Sequence, residues 1–170
     1  QTLAESRDVD ELVTRIKNTV YLDALAKVSK PYTAEKIEGA LREHQVNLHS
    51  KMLSVTGGSS ILSAYFLKYV IWNLKIVLKG KALGKSYEEL VPKVNLRAEE
   101  LLGRRDIIVK ALVAKNLDEA VGALAGSDVA EDAAKAAAIY KDKHDLRVFD
   151  TYLDRTFFVH LGRGMNAESQ

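Results

Sequence analysis

The chain has no cysteine, two prolines and one tryptophan in 170 residues. The missing cysteine excludes disulfides, thiolate zinc sites and cysteine nucleophiles together. With proline only at positions 31 and 92, long stretches carry nothing that forbids a helix. No signal peptide opens the chain, and it does not begin with Met, which predicts either trimming at the N-terminus or a piece of a longer protein. Histidine is scarce. His44 and His49 stand five apart, about 140° around a helix, and cannot share a metal from one face. No His-Glu-x-x-His occurs. His160 falls on an apolar helix face and reads as a core histidine. Asp150 with Asp154, and Glu99 with Glu100, read as carboxylates on a wet surface with no group converging on them to tune a pKa. No nucleophile stands with a recognisable base, so neither catalytic residue, cofactor nor metal is expected.

What the chain does have is helical composition, with hydrophobic residues at 47%. Its organising stretch is Ile61 to Leu90. The first half predicts one long helix from about Ser60 to Lys79. At 100° per residue, Lys68, Lys75 and Lys79 fall within roughly 40° of one another, a narrow polar stripe. Most of the remaining girth is apolar or aromatic, Trp72 included, so other helices should wrap it. Asn73 lies on the buried side, where an unpaired amide would cost about 1–3 kcal/mol, and is expected to bond a neighbouring helix end or backbone turn. Two other readings of this stretch fail. A bilayer span is opposed by Lys68 and Lys75, since central lysines cost on the order of 3 kcal/mol each on insertion scales. Gly80-Lys-Ala-Leu-Gly84-Lys85-Ser86 has three residues between its glycines where a phosphate loop needs four, and it follows a helix rather than a strand. Gly80 is instead expected to end the long helix, and Ser86 to cap a short one with Glu88 and Glu89 in its first turn.

Elsewhere Asp8 caps a helix to about Asn18, Tyr21–Ser29 forms a short one, and Thr33 caps a long one over Ala34–Val55 with Ile37, Leu41, Leu48, Met52 and Val55 on one face. Gly57-Gly58 breaks that helix and Ser59 or Ser60 caps the next. Helices follow at about Arg97–Leu102, Arg105–Lys115, from Asn116 to Leu124, Val129–Tyr140, and from Asp145 to about Leu161. Residues 166–170 are expected to be a disordered tail. No strand pattern is present, so the fold class is all-α.

The chain also repeats itself. Asp8–Thr19 aligns with Asn116–Ser127 at an offset of 108, with Asp10/Asp118, Glu11/Glu119 and Val13/Val121 identical. Ala26/Ala134 and Lys27/Lys135 keep the register. With four more residues inserted, Ile37/Phe149, Glu38/Asp150 and Leu41/Leu153 match. The period is too long for a solenoid unit and predicts tandem helical-bundle domains of about 110 residues: a first unit at 1–110 and a partial second at 111–165. Charge is uneven too. Residues 1–67 carry net 0, 68–115 net +6 and 116–170 net −4, which could give two faces for different partners. The basic segment, with Lys68, Lys75, Lys79, Lys81, Lys85, Arg104, Arg105 and Lys110, leaves open a nucleic-acid or adaptor-binding helical module, although no known module is present. An unrecognised helical enzyme is the third possibility.

Three segments resemble one family. Trp72-Asn73-Leu74-Lys75, continued by Leu78-Lys79-Gly80-Lys81 and Glu88-Glu89-Leu90, resembles the Asn-Leu-Lys…Leu-Arg-Gly-Lys…Glu-Glu-Leu signature of the C subunit of archaeal A-type ATP synthases, the counterpart of the d subunit of vacuolar ATPases. Asp8–Tyr21 resembles that family's Asp-x-x-Glu-Leu-Val…Thr-x-Tyr element. Phe149–Phe158 resembles its Leu-Asp-Arg-x-Tyr-Tyr element. The resemblance implies an all-helical funnel of three similar domains, of which this chain would be an internal piece. It implies a non-catalytic rotor component, peripheral on the cytoplasmic side of the membrane, that receives the D and F subunits of the central shaft and couples them to the proteolipid ring in proton or sodium transport and ATP synthesis. On this reading Lys75, Lys79 and Lys81 should lie near a partner surface, and Trp72 and Asn73 should brace the repeat internally. No nucleic acid and no small-molecule substrate is implied.

Overall fold

The structure, a computed structural model, describes residues 3–101 and 105–168. Among these the chain is all-α, and it divides after Lys51 into two compact units.

The first unit holds α1 (Val9–Lys17), α2 (Leu22–Ala26) and most of α3 (Ala34–Val55), after a short 3-10 turn at Leu3–Glu5. Asp8 starts α1 by accepting the Glu11 N–H at 2.7 Å, while the Glu11 carboxylate accepts the Arg7 N–H at 2.9 Å. These exchanges satisfy amides that a helix start leaves without partners. The bond from the Arg7 backbone, then the Arg15 side chain, holds the Glu11 carboxyl below its ordinary value. The α2 helix is shorter than the expected Tyr21–Ser29. The unit's buried apolar residues are few: Val13, Leu25 and Val46.

The second unit is built on α4 (Ser60–Ala82), with α5 (Tyr87–Leu90), a 3-10 turn at Val91–Lys93, α6 (Leu96–Leu101), α7 (Arg105–Val113), α8 (Leu117–Gly122), α9 (Ala130–Lys143) and α10 (Arg147–Glu168). Its core gathers Leu67, Val70, Ile71, Leu74, Val77 and Leu78 of α4 against Ile108 and Leu112 of α7, Leu117 and Ala120 of α8, Ala133 and Ala136 of α9, and Phe149 and Leu153 of α10. The wrapping of α4 is not complete. Trp72 is half exposed and Tyr65 also reaches solvent.

Two helix ends fall elsewhere than expected. α4 continues past Gly80 to Ala82 and stops in a Schellman turn, with Gly84 at φ 71°. There the Gly84 N–H donates to Lys81 O at 3.1 Å and the Lys85 N–H to Gly80 O at 2.9 Å. The left-handed residue that ends the helix is therefore Gly84, where glycine has no Cβ to clash. Gly80 serves packing instead: a Cβ there would fall 2.2 Å from Leu90 Cδ2. Ser86 then caps α5 in a reciprocal box with Glu89. At the other end, α10 runs through Glu168, into the stretch expected to be a disordered tail, and residues 169–170 lie outside the described residues.

The starts of α1 and α8 match in detail. Asp8 has φ −150°, ψ 176°, and Asn116 has φ −148°, ψ 177°. Asn116 accepts the Glu119 N–H and Glu119 accepts the Lys115 N–H, both at 2.9 Å, as Asp8 and Glu11 do at the start of α1. The Thr19 hydroxyl donates to Ile16 O and the Ser127 hydroxyl to Leu124 O, each at 2.6 Å. The compact units nevertheless divide near residue 51 rather than 110. The physical reason is that α4, which belongs to the first repeat by sequence, buries its apolar surface against α8 and α10 of the second.

Candidate functional site: the seam between α4 and α10

The two long helices of the second unit run antiparallel. Ser60, at the start of α4, donates from its hydroxyl to Gly164 O at 3.3 Å near the end of α10. Gly164 allows this approach, since a Cβ there would meet Ser60 O at 3.0 Å and Ala64 Cβ at 3.1 Å. Toward the other end the helices are joined by charge. Lys75 Nζ lies 2.7 Å from Asp154 and 3.6 Å from Asp150, and Lys79 Nζ lies 2.6 Å from Asp150. Spacing of four on both helices puts each pair on one face, so two lysines and two aspartates mesh as a ladder. The groups are partly exposed, so each pair is worth at most about 1 kcal/mol. Their chief effect is to set the register of the two helices.

Lys75 and Lys79, expected near a partner surface, are thus engaged within the chain. Lys81 is buried along its stem, and its charge acts on Glu88, whose carboxyl is held low first by backbone and Ser86 hydrogen bonds. None of the three presents an open cationic face. Lys85 pairs with Glu89 at 2.6 Å. Arg104 lies outside the described residues. Asn73 is buried, and its amide exchanges two bonds with one residue of the turn before α6: it accepts the Asn95 N–H at 2.9 Å and donates to Asn95 O at 3.1 Å. Trp72, its neighbour, faces outward.

A second tether ties α10 to α9. Buried Asp132 accepts from the Thr156 hydroxyl at 2.6 Å and from Arg155 Nη2 at 2.8 Å. Burial pushes its carboxyl up, but the Arg155 and Thr156 bonds outweigh that and hold it below the ordinary aspartate value. The Tyr140 hydroxyl of α9 donates to Ala82 O at the end of α4, at 3.1 Å, closing a frame of three helices. Burial pushes the Tyr69 hydroxyl on α4 up to about 12, so it stays protonated. Asp150 and Asp154 read in sequence as a wet surface because their partners lie more than seventy residues away; the matching spacing of four on both helices is the signal that could have paired them. Asp132 and Gly164 gave no signal of their own. His160 is half-buried on α10. Among the described residues no three His, Asp or Glu side chains gather to hold a metal.

The seam is a mechanical arrangement: apolar packing, close backbone approach at one end, ion pairs at the other. A family model described as ATP synthase (C/AC39) subunit matches residues 1–169. The chain belongs to that family. Relatives of this C/AC39 chain include the A-type ATP synthase C subunit of Methanocaldococcus jannaschii, 29% identical over 171 residues that cover 96% of this chain and 42% of the relative. The protein of that name from Methanothermobacter thermautotrophicus is 29% identical over 160 residues, covering 89% of this chain and 41% of the relative. That from Methanosarcina acetivorans is 30% identical over 90 residues, covering 49% and 24%. The C/AC39 chain therefore spans about two fifths or less of the length of these curated relatives. No solved structure matches it.

Proposed function

We propose that the chain acts as a non-catalytic rotor element of an A/V-type ATPase, part of a socket that couples the D and F subunits of the central shaft to the membrane proteolipid ring during proton or sodium transport and ATP synthesis. It would sit peripherally on the cytoplasmic face. The match of the family model over residues 1–169 carries this reading. The seam supports it physically. A part that transmits torque must not shear, and α4 and α10 are locked by close packing, by the Lys75/Lys79–Asp150/Asp154 ladder and, through α9, by Asp132. Of the lysines expected to meet a partner, Lys75 and Lys79 are paired with Asp154 and Asp150 within this seam.

The test is a pull-down of the chain against purified D–F shaft, with the proteolipid ring in parallel. Capture of either is expected. Failure of both, repeated with a full-length C subunit that contains this segment, would overturn the reading.

A further inference from the structure

The polar stripe of α4 carries three lysines, and the seam uses two of them. Lys75 and Lys79 each meet an aspartate of α10. Lys68 stands seven residues before Lys75, about two turns further along the antiparallel pair, and the residue seven after Asp154 is Leu161. The ladder therefore lacks its next acid. Lys68 Nζ turns back instead. It donates to the Tyr65 hydroxyl at 2.8 Å and lies 4.0 Å from the centre of the Tyr65 ring and 5.3 Å from that of Tyr69. Among the described residues no carboxylate pairs with it.

The surroundings of Lys68 are aromatic and open. Around α4, Tyr65 and Trp72 stand within about 60° of Lys68; they are 40% and 52% exposed. Around α10, Phe158 and Met165 stand within about 40° of Asp154, on the flank that carries the ladder; they are 65% and 53% exposed. One flank of the seam thus presents large apolar side chains from both helices around a single uncompensated cation. The two aspartates on the same flank are already neutralised by Lys75 and Lys79. A patch of this kind marks a binding surface.

We propose that this flank docks on the surface of an anionic bilayer, with a lipid phosphate at Lys68 and the Trp72 and Phe158 rings at the boundary with the acyl chains. Charge complementarity calls for an anion at Lys68, and the neighbouring side chains point to its source. Trp and Tyr rings, apolar in body and polar at the tip, settle at headgroup level. Lysine favours anionic lipid. Phe158 and Met165 supply apolar area of the sort that holds a helix pair in the interface. A protein partner would ask for about one hydrogen bond per 100–200 Å² of contact. This flank offers little for that beyond the Lys68 ammonium and the ring tips, since the backbone of both helices is bonded internally. On such a surface α4 lies along the bilayer and does not cross it. The proposal rests on the membrane setting of the function proposed above and adds a contact with lipid to it.

Trp72 is the chain's single tryptophan, so its fluorescence reports on this flank directly. The probe is a vesicle of phosphatidylcholine with about a third phosphatidylglycerol, beside a vesicle of phosphatidylcholine alone. With the anionic vesicles the whole chain should float, Trp72 emission should move to shorter wavelength, and brominated phosphatidylcholine in the bilayer should quench it. Phe158→Asp should weaken this binding by about tenfold. Lys68→Gln should weaken it by about fivefold on the anionic vesicles and leave the neutral ones unchanged. Both variants should keep the wild-type circular dichroism. Absence of flotation, flotation with Trp72 neither shifted nor quenched, or binding indifferent to Phe158→Asp would each overturn the proposal. So would a Trp72 shift on adding the D–F shaft or the proteolipid ring but not vesicles, because the flank would then take a protein. Capture by shaft or ring without vesicle binding would leave the socket reading standing and sink this one alone.

Discussion

Single residues decide how closely this chain packs. The Asn73 amide serves both backbone groups of Asn95. Asn73→Leu keeps the branched shape but removes both bonds, so urea unfolding should show a loss of about 1–3 kcal/mol with an unchanged m value. Two glycines in helix interiors should respond with opposite sign. Gly39→Ala meets nothing within 4 Å, and should stabilise by about 0.5–1 kcal/mol through helix propensity. Gly80→Ala gains the same propensity but drives a methyl into buried Leu90; overpacking costs about 1–3 kcal/mol, which outweighs it. Thermal melts should show Gly39→Ala up and Gly80→Ala down, with Leu90→Ala restoring part of the loss in the double variant. Position 80 also shows the limit of local reading. A glycine near the end of an apolar run signals a helix stop, and what defeats that inference is a leucine ten residues on that folds back over it.

Between elements, the Asp132 tether carries a pH signature. Its carboxyl titrates lower folded than unfolded, so the contribution is fully present above the ordinary aspartate value and is lost as pH falls below about 4, through the folded value. Asp132→Asn should lower stability at neutral pH and flatten the acid limb of a stability–pH curve, whereas Asp145→Asn, at an exposed site, should leave the neutral value close to wild type. Helix positions were legible at this scale because caps and periodicity are local. Asp8, Ser59, Ser86 and Asn116 each start the helix expected of them. Partner choice was not. The Lys68–Lys75–Lys79 stripe is visible in the sequence as charge, and nothing local says that Asp150 and Asp154 neutralise two of its members. A polar stripe on a core helix reads alike whether water or another helix faces it.

For the whole molecule, core size predicts uneven stability. Of the buried apolar residues among those described, the first unit holds Val13, Leu25 and Val46, and the second unit holds the rest. Hydrogen exchange should therefore separate two classes, with amides of α1 and the first half of α3 exchanging well before those of α4 and α10. Similar rates throughout would show that the units open together. The likeness of the α1 and α8 starts was legible from a few identities at an offset of 108, because Asp10, Glu11 and their counterparts sit at helix starts where capping restricts the choice of residue. Which half of one repeat packs on which half of the next was not, since α4 is apolar enough to bury against either.

In this chain α4 and the helices that follow Asn116 share one core, so the offset seen in the sequence does not mark where that core divides. Recombination that exchanged residues 1–110 as a block would remove α4 from this core and leave α8, α9 and α10 behind. A foreign segment spliced in after Asn116 would have to fit the apolar surface that α4 already presents, which makes α4 the place where such a graft would first be tested.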